Sequence, residues 1–369
     1  MCIHNLSAWA AAALGPLPGG TLPYGLQYLQ RDFELTWQDA QLTGIWRTRL
    51  AQRAGYAVKI GAPGLKGSLG ACYALPQFAG ADVAVSVFEN VGLGFARLEG
   101  HLQRARRSIP HVMLTCWLAE DCQKMSGAQL RSVRRSLRSV SRLVVFSSNQ
   151  AAVLHQYLNI EPERVVTIPF GVDTSYYDAK NTTGPLGGRG LVAVGVDSAR
   201  DYRTLMEAVR IARVPLTLAC NPRNIAGLDL PRDVTVLSNL SHQDYRSLVL
   251  SADLVVTPTV APAYPSGQTV MLEAMSMGRA TLTTDSAAIR DYVTNEIDGV
   301  LVPPRDPEAM AELIVNLLPD SPRLEALGYA ASETVRKRFS LDLLWRQVAN
   351  TMLSICDDKQ RRTSVFSSA

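Results

Sequence analysis

Short apolar segments alternate with stretches of helical periodicity along most of the chain, and this alternation constrains the fold more than any other feature. In the first half, the predicted strands are residues 33–38, 81–88, 111–117 and 142–148. In the second half, they are residues 190–195, 216–220, 234–237, 253–259, 280–285 and 299–304. The helical connections indicate parallel strands, because antiparallel neighbours need only a short turn. Since the strands are apolar throughout, we expect helices on both faces of each sheet.

The length of the chain predicts two domains. With 369 residues it can build two separate cores. Residues 178–189 are rich in glycine and polar side chains, which is typical of a linker. The sequence therefore predicts an α/β protein with two Rossmann-like, doubly wound domains at 1–177 and 190–340. Such domains bind ligands at the carboxyl ends of their strands, here on either side of a cleft.

The carboxyl-terminal segment has two predicted parts. Residues 341–356 carry apolar positions at helical spacing, and we expect this helix to pack back on the first domain. Residues 357–369 contain few apolar side chains, so they are predicted to form a flexible tail.

Charge and cysteine content exclude several classes of protein. The net charge of +4 suits a phosphate-bearing ligand but is too small to indicate nucleic acid binding. The six cysteines show neither metal-site spacing nor a dense disulfide framework, so we expect reduced thiols, no metal and a cytoplasmic location. The apolar stretch at residues 6–15 is too short to span a bilayer and lacks the basic flank of a secretory signal. It is predicted to be a buried strand or the loop that follows one.

Five arginines at helical spacing predict one basic helix face. They are Arg131, Arg134, Arg135, Arg138 and Arg142. The simpler interpretation is a solvated face. The alternative is weak peripheral attachment to the anionic inner face of a membrane.

The segment PSGQTVMLEAMSMG, residues 265–278, predicts an anion site at a helix start. Proline and a small hydroxyl residue suit a first turn, and Gly267 leaves room for a phosphate. The amide groups at the start of this helix would then point outward and, with the helix dipole, suit a diphosphate. These amides belong to Gly267, Gln268, Thr269 and Val270, and Ser266 precedes them in the same site. Glu273 lies one to two turns further on, where it either accepts hydrogen bonds from two ribose hydroxyls or faces solvent.

Arg200 supplies a second candidate contact to phosphate. It follows the strand at 190–195, at the carboxyl end of the predicted sheet. A positive charge there would stabilise a departing diphosphate. The alternative is a surface ion pair with Asp197 or Asp201.

Three segments in this order resemble family 4 glycosyltransferases of the GT-B fold: residues 145–178, 195–202 and 265–314. The resemblance is strong from about Arg142 to Phe339 and weak before Asp82. It implies a metal-independent enzyme that moves a sugar from a nucleotide diphosphate, most often UDP, with retention of configuration. The donor would lie on the second domain and the acceptor on the first, with no cofactor.

The resemblance also assigns residues. It implies that Glu273 contacts ribose and that Arg200 contacts the diphosphate. The early glycine-rich turn of the family approaches the donor, and here PLPGGTLPYG supplies Gly19 and Gly20.

The chain departs from the family pattern at three positions. Pro265 stands where a first glutamate usually touches the transferred sugar, so recognition of that sugar is expected to differ. Trp117 or Cys116 occupies the place of a frequent histidine, and Val196 that of an arginine.

An active transferase is expected to use front-side attack without an enzyme nucleophile. Glu120, Asp121 and Glu89 follow strand ends of the first domain and would orient the acceptor, or else are solvated loop acids.

Two other functions fit the same fold. A non-hydrolysing nucleotide-sugar epimerase would need acids and histidines converging on the sugar, and the five histidines form no evident cluster. A non-catalytic partner with a degenerate donor pocket would explain the missing glutamate and histidine.

Overall fold

The computed structural model describes residues 2–4, 23–34, 37–39, 81–104, 109–181 and 190–367. These residues form two compact units. The first contains the described residues up to Ile168 together with those from Trp345 onward, and the second runs from Pro169 to Leu344. Most of the predicted linker, residues 182–189, lies outside the described part, as do residues 6–15. The domain limits derived from the sequence stay predictions.

The first unit contains a six-stranded sheet in which every pairing is parallel. Its strand order is β2-β1-β3-β4-β5-β6. The strands are β1 (Cys2–His4), β2 (Trp37–Asp39), β3 (Ala84–Val87), β4 (His111–Thr115), β5 (Arg142–Val145) and β6 (Val165–Thr167). The helices between them are α1 (Glu89–Arg104), α2 (Leu118–Lys124), α3 (Gly127–Leu137) and α4 (Ser148–Leu158). Strands β3 and β4 are buried along their whole length, as continuous apolar runs predict.

The second unit contains another six-stranded parallel sheet, with the order β12-β11-β10-β7-β8-β9. The strands are β7 (Leu191–Gly195), β8 (Leu216–Cys220), β9 (Val234–Leu237), β10 (Leu254–Thr257), β11 (Ala280–Thr284) and β12 (Val300–Val302). The helices are α5 (Tyr202–Ala212), α6 (His242–Ser251), α7 (Gln268–Ser276), α8 (Pro307–Leu317) and α9 (Ser321–Arg338). The prediction of two parallel, doubly wound sheets is confirmed.

Strand order in the second sheet determines which loops meet. Strand β10 pairs with β7, with Leu254 opposite Leu191 and Val256 opposite Ala193. The carboxyl ends of these two strands are therefore neighbours, although they are far apart in the sequence. The loops that follow them lead into α5 and α7, which carry the predicted phosphate contacts.

Short 3₁₀ helices occupy several connections in both units. They span Pro23–Arg31, Pro162–Arg164, Ala179–Asn181, Pro222–Ile225 and Ile289–Asp291. The first of them changes one prediction, because Phe33 and Glu34 lie in the turn that follows it. The strand predicted at 33–38 is consequently observed only at Trp37–Asp39.

Two further predictions are corrected by the structure. The last helix, α10, spans Leu341–Ser367 rather than ending at 356, because the segment predicted to be a tail contains no proline or glycine to stop it. It begins in the second unit and is grouped with the first from Trp345. Helix α3 ends at Leu137, so Arg142 lies on β5 and does not belong to the basic helix face.

Candidate functional site

Gly267 forms the amino-terminal cap of α7 with φ at +87°, a conformation that side chains other than glycine disfavour. The amide of Gln268 donates to the carbonyl of Pro265 at 3.1 Å, so this predicted free amide is not free. Within the described part of the chain, the amides of Gly267, Thr269 and Val270 donate to no protein acceptor. Three of the four predicted amides thus remain available to an anion at the positive end of the helix dipole.

The Arg200 guanidinium lies between the β7 turn and the start of α7. A Cβ placed on Gly195 would come within 2.1 Å of Arg200 Nε, and one placed on Gly267 within 2.3 Å of Nη1. Only glycine at both positions admits the side chain. The two glycines therefore hold the arginine beside the free amides of α7.

Arg200 makes no ion pair among the described residues, and its buried Nε and Nη1 atoms have no hydrogen-bond partner. The predicted alternative, a pair with Asp197 or Asp201, is not formed. Asp197 Oδ1 accepts from Ala199 N and from the Tyr264 hydroxyl, each at 2.7 Å. The Asp201 carboxylate instead caps α5 through Thr204.

Two hydroxyl groups next to Gly267 also lack a hydrogen-bond partner in the part of the chain that the structure describes. Thr257 Oγ1, at the end of β10, and Ser266 Oγ are both buried and without a partner in the described structure. Thr257 touches the cap directly, since its Cγ2 would lie 2.3 Å from a Cβ on Gly267. A guanidinium, two hydroxyls and three amides can all donate. Buried donors of this kind are costly unless an acceptor satisfies them, and a diphosphate would satisfy them.

Glu273 is buried on α7, with 7% of its surface exposed, so the alternative of a solvent-facing glutamate is excluded. Its carboxylate accepts hydrogen bonds from the hydroxyls of Tyr245, on α6, and Tyr177. Burial raises the pKa of Glu273 to about 7, while the two tyrosine hydrogen bonds act in the opposite direction. A ribose at this point would share the carboxylate with the tyrosines, and the ribose contact stays a prediction.

The candidate acids of the first unit occupy different environments. Glu120 pairs with Lys124 at 2.7 Å, one turn further along α2, and Asp121 is exposed. Glu89 is buried, and its two oxygens accept the amides of Cys116 at 3.1 Å and Trp117 at 2.5 Å.

Burial raises the pKa of Glu89 to about 6. The interpretation as a solvated loop acid is therefore wrong for Glu89. Asp121 is exposed but lies on α2, and its role in orienting the acceptor stays a prediction. Gly19 and Gly20 lie outside the described residues.

Sequence reasoning missed Thr257, Tyr245, Tyr177 and Tyr264. The hydrogen bonds of Tyr245 to Glu273 and of Tyr264 to Asp197 join residues 28 and 67 positions apart. Such contacts depend on the order of strands in the sheet, which no local motif records.

Comparison with solved structures identifies the fold as GT-B. HepE from Anabaena in complex with UDP superposes with a TM-score of 0.67 at 17% identity, over 96% of this chain and 99% of that one. Residues 193–320 match the family model described as Glycosyl transferases group 1. These residues are thus similar to the group 1 glycosyltransferases, as the resemblance in sequence implied.

Two curated relatives are each 25% identical to parts of this chain. The MMP alpha-(1->4)-mannosyltransferase of Mycolicibacterium hassiacum is 25% identical over 60% of this chain and 55% of its own length. The alpha-maltose-1-phosphate synthase of Mycolicibacterium smegmatis is 25% identical over 71% and 76%. Two further relatives match over only 31% and 29% of their own length. This chain thus spans between 29% and 55% of the length of the mannosyltransferase and of the last two relatives.

None of the helices that the structure describes is both long and apolar enough to cross a membrane.

Proposed function

We propose that the protein transfers a sugar from UDP to a hydroxyl group of a glycan, glycolipid or small molecule, with retention of configuration. The observation that carries this proposal is the Arg200 guanidinium, whose buried Nε and Nη1 atoms have no partner among the described residues and lie against Gly195 and Gly267 at the start of α7. The choice of UDP is supported by the solved complexes of HepE with UDP and with UDP-glucose. The base, the sugar and the acceptor belong to the proposal.

The proposed reaction needs no nucleophile from the protein. The bond from the sugar C1 to the diphosphate oxygen breaks as the acceptor oxygen bonds to C1 on the same face. The proton of the acceptor hydroxyl passes to the departing phosphate oxygen, and UDP leaves.

Arg200 and the amides of Gly267, Thr269 and Val270 would stabilise the negative charge that develops on the leaving group. We propose that this fixed positive charge takes the place of a metal ion and that no cofactor is used. Glu273 would hold the ribose.

A thermal shift experiment tests the donor site. UDP should raise the unfolding temperature, because a ligand that binds only the folded state stabilises it. Arg200→Met should abolish this shift, since a hydrogen bond to a charged group contributes about 1.5–3 kcal/mol, or roughly 10- to 150-fold in affinity. Arg203→Met is the matched control, because Arg203 is exposed on α5, which begins two residues after Arg200. An unchanged shift in Arg200→Met would refute the placement of Arg200.

The same experiment separates the three candidate functions. The panel contains UDP-, GDP-, ADP- and dTDP-sugars. Release of free nucleotide from a stabilising donor supports a transferase, and interconversion of two nucleotide sugars without release supports an epimerase. Stabilisation with neither reaction supports a non-catalytic partner. No stabilisation by any nucleotide refutes both enzymes.

We also propose a cytoplasmic location with peripheral contact to an anionic membrane. Arg131 and Arg135 are exposed on α3, and Arg138 is exposed directly after its last residue, Leu137. The Arg134 guanidinium instead donates to the carbonyls of Leu158 and Tyr157 on α4, so it is not included in the proposed membrane contact. Cosedimentation with phosphatidylglycerol vesicles, but not with phosphatidylcholine vesicles, should be lost when the three exposed arginines are replaced by glutamine. Equal cosedimentation of the triple variant would refute this contact.

A further inference from the structure

Three aromatic side chains follow three neighbouring strands at the carboxyl edge of the first sheet. Phe88 follows β3, Trp117 follows β4 and Phe146 follows β5. The Phe88 ring centroid lies 5.2 Å from that of Trp117 and 6.4 Å from that of Phe146. Phe146 is buried, Phe88 is half-buried, and 38% of Trp117 is exposed. The three rings thus form a small platform, the aromatic platform, with a buried base and an exposed upper ring.

The backbone beneath this platform is held in a costly conformation. Phe88 has φ at +68°, in the left-handed region that bulky side chains rarely occupy. Backbone strain of this kind persists where the surrounding structure imposes it, and it is concentrated at functional sites. The strain therefore makes the position of the Phe88 ring a feature that needs an explanation.

Buried polar groups fix the position of Trp117. Both oxygens of Glu89 accept backbone amides, one from Cys116 and one from Trp117. Gln150, in the first turn of α4 after β5, donates to the carbonyl of Cys116 at 2.7 Å. These bonds join the ends of β3, β4 and β5, so the aromatic platform is ordered before any ligand arrives. Preorganisation of this kind reduces the entropy lost on binding.

Carboxylates lie next to the exposed ring. Helix α2 begins directly after Trp117, and the amide of Asp121 donates to the carbonyl of Trp117 at 2.9 Å. Residues four apart in a helix share a face, so the exposed Asp121 carboxylate lies on the side of Trp117. Glu120 precedes it, paired with Lys124. The surroundings of the platform thus offer acceptors for hydroxyl groups and repel anions.

We propose that the aromatic platform binds a neutral pyranose ring of the acceptor, with the sugar stacked on Trp117, whose plane is inclined at 51° to that of Phe88, and its hydroxyls donating to Asp121. This inference rests on the proposed transferase function and specifies its acceptor as a neutral sugar. Aromatic faces carry negative charge and attract the slightly positive C–H face of a sugar. Sites for small ligands combine such apolar surfaces with a few polar groups. Trp117 thereby becomes a specificity residue.

Saturation-transfer NMR on the full chain with UDP present tests this site. The probes are methyl α-glucoside, methyl α-mannoside, methyl α-galactoside and maltose, with glucuronic acid as the anionic comparison. We expect transfer to the ring C–H protons of at least one neutral probe and a weaker response from glucuronic acid. A response only from glucuronic acid, or from no sugar, would overturn the proposal.

Variants of Trp117 connect the signal to the aromatic platform. Trp117→Ala should weaken binding of the responding sugar about tenfold, and Trp117→Phe should retain most of it. Asp121→Asn should weaken it about fivefold through loss of a charged acceptor. Tyr329→Ala is the matched control, because Tyr329 is an aromatic residue exposed on α9 of the other unit. Unchanged binding in Trp117→Ala would overturn the proposal.

A UDP thermal shift on every variant distinguishes a failure of the acceptor-site proposal from a failure of the proposed transferase function. A normal UDP shift in a variant that loses sugar binding shows that the fold and donor site are intact. If UDP fails to stabilise the wild type, the proposed function fails. If UDP stabilises the wild type and no neutral sugar binds, only the aromatic platform proposal fails.

Discussion

Replacing Gly267 by alanine adds one methyl group to a cap that the structure closes on both sides. The new Cβ would meet Arg200 Nη1 and Thr257 Cγ2, each at 2.3 Å. Such contacts are far inside normal packing distance, so the arginine or the threonine must move. The residue also keeps φ at +87°, which alanine disfavours.

The cost of the backbone conformation and the cost of the close contacts can be measured separately. A left-handed conformation costs a residue with a side chain about 1–2 kcal/mol, and forcing an extra methyl into a packed region costs about 1–3 kcal/mol. Gly267→Ala should therefore lower the free energy of unfolding by about 2–5 kcal/mol. Gly227→Ala is the matched control, because Gly227 has φ at +76° but no atom within 4 Å of its added Cβ. It should lose only the backbone part, about 1–2 kcal/mol.

Urea unfolding of the three proteins measures these differences through the shift in midpoint. A UDP thermal shift measures the second effect, since a displaced Arg200 should no longer stabilise a diphosphate. The Gly227→Ala variant should keep its UDP shift. Two results would refute the proposed packing of Gly267 against Arg200. One is a Gly267→Ala variant that is no less stable than Gly227→Ala, and the other is a Gly267→Ala variant that binds UDP as the wild type does.

Three further variants test the buried carboxylates. The pKa of Glu273 rises from 4.5 to about 7, so the folded state loses roughly 3 kcal/mol of stability from this group as pH rises from below 4.5 to above 7. In Glu273→Gln, the free energy of unfolding measured in urea should no longer show this loss as pH rises. An unchanged pH profile would contradict the buried position of Glu273. Tyr245→Phe removes a hydrogen bond that lowers this pKa, so NMR titration of Glu273 should show a higher pKa, and a lower one would refute the contact. Glu89→Gln leaves one of the amides of Cys116 and Trp117 without its acceptor, which should lower the free energy of unfolding by about 1–3 kcal/mol; an unchanged urea midpoint would refute the arrangement.

Local patterns in the sequence were enough to predict the elements that repeat. Each strand is a short apolar run, and each helix has its own periodicity, so a window of a few residues carries the signal. The start of α7 was predicted from Pro265, Ser266 and Gly267 for the same reason. Predictions failed where the surroundings of a segment, and not its own composition, determine its structure. In α10 a polar composition predicted a flexible tail, but the helix continues to Ser367.

Local sequence patterns were sufficient to predict two parallel α/β sheets, a glycine-capped helix suited to phosphate, and a short set of charged candidates. The role of each candidate depends on its neighbours in the folded chain. Arg200 is unpaired because Asp197 and Asp201 bind other groups, and Glu273 is buried against a tyrosine 28 residues away. Parallel strands bring their carboxyl ends together in the order of the sheet, not of the chain. The neighbours of a site residue therefore follow from strand order, which a local pattern does not encode.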